Sequence, residues 1–401
     1  MNFPNEKVVR GMSSRLEQLI EELCPDGVEY YSVDRMFTLS RGRVMSKEYL
    51  RDNHGVYPVY SSQTANDGVI GKISTYDYEG EYLTWTTDGA NAGTVFFRNG
   101  KFSITNVCGL LMKKADDIEL KFAYYALQIV AKSYVNQGMG NPKLMSNAMG
   151  RVIIPVPPLP IQREIVRILD NFTELTAELT AELTARKKQY EYYRDELLTF
   201  GDDVPRFKVG DLFDFKNGLN KGKEFFGSGM PIVNFTDVFK NNSLKESQLK
   251  GKVDVTTKEQ ELYSAKKNDV FFTRTSEIQE EIGMSSVLLD SVEGCVFSGF
   301  VLRARPKTEL LLPEYCTYCF SSSDVRKEIV KHSTFTTRAL TNGKILSNLF
   351  IAVPSIEEQN RIVAILDSFD ALVLDVSDGL PAEIQARQQQ YEYYRNKLLV
   401  F

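Results

Sequence analysis

The chain has 401 residues, 43% of them apolar and 25% charged, with a net charge of −5 and five unevenly spaced cysteines. That length suffices for two or three domains with their own cores, and the composition is ordinary for a globular protein. No run approaches the roughly 18 apolar residues of a membrane span, and the cysteine pattern argues against a disulfide scaffold; reduced thiols and a cytoplasmic location are expected.

In chain order, residues 13–23 (SSRLEQLIEEL) predict a short amphipathic helix with Ser13 or Ser14 as its N-cap, closed by the turn signal CPDG. The residues before Met12 have no evident role. From Val28 the pattern changes to short β-like runs: GVYPVYSSQ, GVIGKISTY, EYLTWTT, GTVFFRNGKFSITN and CGLLMKK. A helical segment at about 119–135, a glycine-rich loop QGMGNPKLMSN and a strand RVIIPVPP come next.

Residues 161–200 contain no proline or glycine. Ile161, Ile165, Ile168, Phe172, Leu175 and Leu179 recur at alternating steps of four and three, and Leu183, Tyr190, Tyr193 and Leu197 continue the seam. Such spacing draws one narrow apolar stripe on a long helix, and a helix that long needs a partner.

Residues 201–355 repeat the first plan in different letters. VPRFKVGDLF falls on VEYYSVDRMF, setting Val204 on Val28 and Phe213 on Phe37. Strand-like runs MPIVNFTDV, DVFFTRTS, SSVLLD and CVFSGFVLRARP precede a helix at about 313–331, a loop HSTFTTRALTNGK and a strand NLFIAVP. Ser355 and Glu358 then have the spacing of a capping box for a second long helix.

That helix copies the first. Gln162 matches Gln359, Ile165 matches Ile362 and ILDNF matches ILDSF, while YEYYR at 190–194 returns unchanged at 391–395, four residues later than the earlier register. The extra residues fall in a stretch containing Ser377, Asp378, Gly379, Leu380 and Pro381, where a turn or kink is expected, since proline suits only a first helical turn. Internal repeats are strong evidence of architecture. The fold expected is α+β: two mixed α/β domains separated by two long antiparallel helices, with a pseudo-two-fold repeat. The boundaries read 1–29, 30–158, 159–200, 201–355 and 356–401.

No phosphate-cradling loop, dinucleotide fingerprint or zinc-protease motif occurs. His54 and His332 stand alone, and Cys316 and Cys319 lack a second ligand pair, so no metal site is expected and the C-x-x-C reads as a helix turning small residues inward. The α/β domains do carry polar loops. The first has Ser61, Ser62, Gln63, Thr64 and Asn66, then Thr86, Thr87, Asp88 and Asn91, then Gln137, Asn141 and Lys143. The second has Lys221, Lys223, Asn234, Thr236, Arg274, Thr275, Ser276, Thr336, Thr337 and Arg338. Asn and Gln can pair with adenine, Arg and Lys with guanine, and hydroxyls with phosphates, although the same residues populate any surface turn.

Over essentially its whole length the chain resembles the specificity (S) subunits of type I restriction–modification systems. The resemblance rests on LEQLIEELCPDGVEY, the paired VPPLPIQREIVRILDNF and VPSIEEQNRIVAILDSF, the paired YEYYR…LL ends, and a tandem TAEL beginning at Thr176 and Thr180 and ending at Leu179 and Leu183, similar to the type IC subgroup. It implies two target-recognition domains for a bipartite duplex DNA site, with Thr176, Leu179, Thr180 and Leu183 in the spacer. The helices would dock two methyltransferase (M) subunits, joined by two motor/nuclease (R) subunits. It implies a non-catalytic chain without a cofactor of its own: S-adenosylmethionine would belong to the M subunits, ATP and magnesium to the R subunits. A stand-alone DNA-binding or decoy scaffold, and a coiled-coil adaptor with no DNA role, remain the alternatives.

Overall fold

The computed structural model describes residues 6–138, 140–373 and 379–401. It divides into two units, Met1–Leu179 with Ile384–Phe401, and Thr180–Glu383. Each therefore combines one α/β domain with the opening of one long helical copy and the close of the other.

In the first unit a six-stranded sheet runs in the order Phe37–Arg41, Cys108–Lys113, Tyr78–Thr86, Val95–Ile104, His54–Tyr60 and Val69–Ile73. Leu83, Trp85 and Leu111 point to the face covered by the helix Leu120–Val130, whose Phe122, Ala123 and Leu127 are fully or nearly fully buried with them. Phe102, Ile104, Cys108 and Leu110 alternate to the opposite face, where Tyr60, Tyr78 and Tyr82 cover them. Trp85 is buried, donates its indole N–H to Leu144 O at 2.9 Å, and lies over Gly109, where a Cβ would come within 2.3 Å of the ring.

The second unit carries a five-stranded sheet ordered Phe213–Asn217, Val301–Pro306, Val270–Thr273, Ser285–Leu288 and Ser243–Leu244, with two smaller three-stranded sheets beside it. The helix expected at 313–331 is two helices, Pro313–Ser321 and Ser323–His332. They break at Ser322, which is extended and turns its hydroxyl onto Cys319 O at 2.8 Å; side-chain competition of this kind makes serine a poor interior helix residue. Cys316 and Cys319 are buried in this core, and burial pushes the Cys319 thiol up to about 12. At the N-terminus the helix runs Glu6–Leu23, so Ser13 and Ser14 lie inside it rather than capping it; Gly11 costs helix stability without stopping the helix.

The central helix is unbroken from Leu159 to Leu197, 39 residues, or about 58 Å, with Pro160 in its first turn. The second copy is described as Ile356–Val373 and Leu380–Leu398, with Pro381 in the first turn of the latter. Ser377 and Asp378 of the expected kink lie outside the described residues.

Within the first unit Ile161, Ile165, Leu169 and Phe172 share a core with Tyr391, Tyr394, Leu398 and Leu399, and Phe172 stacks on Tyr394 at 5.3 Å. Within the second, Tyr190 and Leu197 share a core with Ile362, Leu366 and Phe369, and Tyr193 stacks on Phe369 at 5.7 Å. In both, the opening of one helical copy lies against the close of the other, as an antiparallel pair requires.

Two side chains weld each helix to its domain. The buried Gln162 accepts from Glu119 N–H at 2.7 Å and donates to Asp117 O and Pro157 O at 2.8 and 2.7 Å. Gln359 repeats this with Leu312 N–H, Leu310 O and Pro354 O, at 2.8, 2.8 and 2.9 Å. Tyr125 donates to Asp170 at 2.6 Å, and Tyr318 likewise to Asp367. Polar groups so placed fix one arrangement, because leaving them unpaired inside a core is costly.

Candidate nucleic-acid interface

Three loops meet at one end of the first domain. Asp88 bridges to Lys143 as isolated β-structure, Gly89 N–H donates to Pro142 O at 3.0 Å, and Asn91 donates to Thr64 at 3.1 Å. Ser62 holds the junction: its hydroxyl bonds Val107 O and accepts from the N–H groups of Thr87 and Asp88 at 3.0 and 3.3 Å. Thr87 is fully buried, its hydroxyl 2.8 Å from Val107 O. Ser61 accepts from Thr105, and Gln63 donates to Val69 O at 2.8 Å. Ser61, Ser62, Gln63 and Thr87 thus shape the loops, whereas Asn66, Asn91, Asn141 and Lys143 are exposed around the rim and Asp88 lies half-buried between.

Asn66 and Asp67 have φ of +50° and +52°, a left-handed turn that Asn and Asp tolerate best. Arg98 supports it from beneath, 2.5 Å from the Asp67 carboxylate and 2.9 Å from its carbonyl, with its guanidinium 3.7 Å over the Tyr60 ring. Neither Arg98 nor Arg41 was among the expected site residues. An arginine inside the apolar run VFFRNG was the available signal for Arg98.

The second domain spreads its candidates more widely. Thr275 pairs with Leu340, which ties the strand after Arg274 to an exposed hairpin carrying Thr336, Thr337 and Arg338; Arg338 lies 3.7 Å from Glu277. Lys221 is bound to Asp254 O at 2.7 Å and to Glu259 at 2.8 Å, and holds the Glu259 carboxyl down at about 2. Lys223 is exposed. Asn234 precedes the helix Phe235–Lys240 and donates its backbone N–H to Asp237 at 2.8 Å, while Thr236 is exposed on that helix. The spacer residues Thr176, Leu179, Thr180 and Leu183 lie in the central helix, with Leu179 and Leu183 half-buried and Thr176 donating to Phe172 O at 2.8 Å. Among the described residues no group of His, Cys, Asp and Glu is placed to hold a metal ion, and no helix is long and apolar enough to cross a membrane.

The two domains share a backbone skeleton at this end. Leu144 N–H donates to Thr87 O at 2.9 Å and Thr87 N–H to Val107 O at 3.2 Å; Thr341 N–H donates to Arg274 O at 3.0 Å and Arg274 N–H to Phe300 O at 3.2 Å. Gly42 and Gly218 open the matching loops against the chain, where a Cβ would stand 2.0 Å from Ile104 O and 2.1 Å from Ser298 O. On this common frame Thr87 corresponds to Arg274, Asp88 to Thr275, Lys143 to Leu340 and Val107 to Phe300. Backbone oxygens cannot retreat as a flexible side chain can. Gly42→Ala and Gly218→Ala should each cost roughly 2–3 kcal/mol or more, read by denaturant unfolding, whereas alanine at the open Gly89 turn should act only through its φ of +94°.

A sequence model described as the type I restriction modification DNA specificity domain matches the chain twice, at residues 25–186 and 201–386. The chain belongs to the type I restriction–modification specificity family. A type I specificity subunit from Mycoplasma pneumoniae is 30% identical over 386 residues, covering 92% of this chain and 97% of its own. The specificity subunit of the type I restriction enzyme MpnII from the same organism is 42% identical over 176 residues, 43% of this chain and 53% of its own. Among solved structures, a chain from a study of assembly and conformational transition in the type I system covers 94% of this chain and 98% of its own with a TM-score of 0.60, and the S subunit from M. genitalium covers 94% and 97% with 0.54, each at 15% identity. Both solved structures share the overall fold seen here.

Proposed function

We propose that this specificity subunit reads a bipartite duplex DNA site, one half with each α/β domain, and that its helices set the gap and dock two methyltransferase subunits. Two motor/nuclease subunits complete the assembly. The chain itself performs no chemistry: S-adenosylmethionine binds the methyltransferase subunits, and ATP with magnesium the motor subunits. One observation carries the reading. The same hydrogen-bonded loop frame occurs in both domains with unlike side chains on it, as two readers of different sequences on one ruler require. Base recognition falls to the exposed groups, Asn66, Asn91, Asn141 and Lys143 in the first domain and Lys223, Thr236, Thr336, Thr337 and Arg338 in the second. Exchanging residues 30–158 for those of a relative should change one half-site of the methylated sequence and leave the other and the gap intact. A change in both halves, or in neither, contradicts the assignment.

A further inference from the structure

The matched frames expose a compensated exchange. In the first domain Arg41 ends the strand Phe37–Arg41, and its guanidinium lies 3.2 Å from the Thr87 hydroxyl and 3.7 Å from the Met145 sulfur. In the second, the corresponding strand ends in Asn217, while the position of Thr87 is taken by Arg274 and that of Met145 by Asn342. Asn217, Arg274 and Asn342 line one open cavity of about 550 Å³. The arginine has moved to the facing strand, where it lines the cavity beside Asn217 and Asn342.

Side chains at the rim differ freely between the domains, so a cation kept by two different routes answers a demand common to both. The second-domain cavity also receives Lys216, Lys307 and Lys344 against one carboxylate, Asp214. Arg274 spends Nη1 on Gly299 O at 2.9 Å, while its Nε is buried with no hydrogen-bond partner. In the first domain Asp88 sits 3.7 Å from Arg41 and 3.9 Å from Lys143, one carboxylate between two cations. The feature common to two readers of different sequences is the DNA backbone. We propose that Arg41 and Arg274 are equivalent phosphodiester anchors, which fix each domain on the duplex and read no base. The inference rests on the reading of both domains as DNA-binding.

The test compares R41N with R41N/T87R, and R274T with N217R/R274T, in the full chain assembled with its methyltransferase subunits. Binding is titrated on duplexes with and without the methylated site at several salt concentrations. Each single variant should weaken both duplexes by the same factor, about three- to tenfold, and lower the salt slope by about 0.9. Each double variant should restore affinity and slope, with the methylated sequence unchanged throughout. A single variant that alters the recognised bases makes the arginine a base reader and overturns the proposal. So does a single variant without effect, or a double variant that folds with the wild-type melting profile and fails to restore binding. A wild-type assembly that binds neither duplex defeats the DNA reading itself, and the anchors with it.

Discussion

Gln162→Ala is expected to destabilise the first unit by roughly 3–5 kcal/mol, and Gln359→Ala the second by a similar amount. The size reflects the polar groups left behind. Gln162 is fully buried and satisfies one backbone N–H and two backbone carbonyls in the turn that joins the α/β domain to the long helix. Alanine removes the partner of the buried Pro157 carbonyl and of two part-buried backbone groups, and an orphaned buried group costs about 1–3 kcal/mol. Gln162→Glu offers no relief, since a carboxylate can still accept from Glu119 N–H but repels the carbonyls of Asp117 and Pro157. Amide exchange read unit by unit during denaturant titration separates the two effects: Q162A should release the amides around Glu119 and leave those around Leu312 protected. A loss below about 1 kcal/mol would show that the weld is dispensable.

Inserting a third TAEL into the central helix should move methylation to sites whose gap is one base pair longer and abolish it at the original spacing. Thr176, Leu179, Thr180 and Leu183 lie in an unbroken α-helix, so four residues add about 6 Å and rotate the downstream part of the helix by about 40°. One base pair of B-DNA adds about 3.4 Å and 34–36°. The rotation matches one base pair closely and the rise exceeds it. Facing the groove is the stricter demand, because a reader turned off its groove contacts no base edges, whereas a small excess of length can be absorbed by tilt. Deleting one unit should shorten the gap by one base pair. An unchanged gap in the insertion variant would remove the helix from the spacing role.

The architecture was legible because the helices repeat. Gln162 and Gln359, Phe172 and Phe369, and Tyr193 and Tyr394 are the residues that weld and stack, and each pair is visible as a match in the letters. The frame inside the α/β domains was not visible. Its partners are backbone groups, which any residue supplies, and insertions shift the register from 176 at Gly42 and Gly218 to 187 at Thr87 and Arg274 and 197 at Leu144 and Thr341. A comparison at fixed offset therefore loses Arg41 and misses its relation to Arg274. The same distance effect explains Ser62 and Thr87. They carry the composition of a reading loop, but their hydroxyls are engaged with Val107, 45 and 20 residues away, and sequence spacing carries no record of such contacts. Ser322 shows the limit at short range: periodicity runs through it, yet its backbone is extended and the helix stops there.

The most direct test is single-molecule sequencing of adenine methylation in cells that make this chain together with its methyltransferase subunits. The expectation is one asymmetric motif of two specified half-sites separated by a fixed, unspecified gap, lost when this chain is removed. A continuous motif, or a methylation pattern unchanged by its removal, would contradict it.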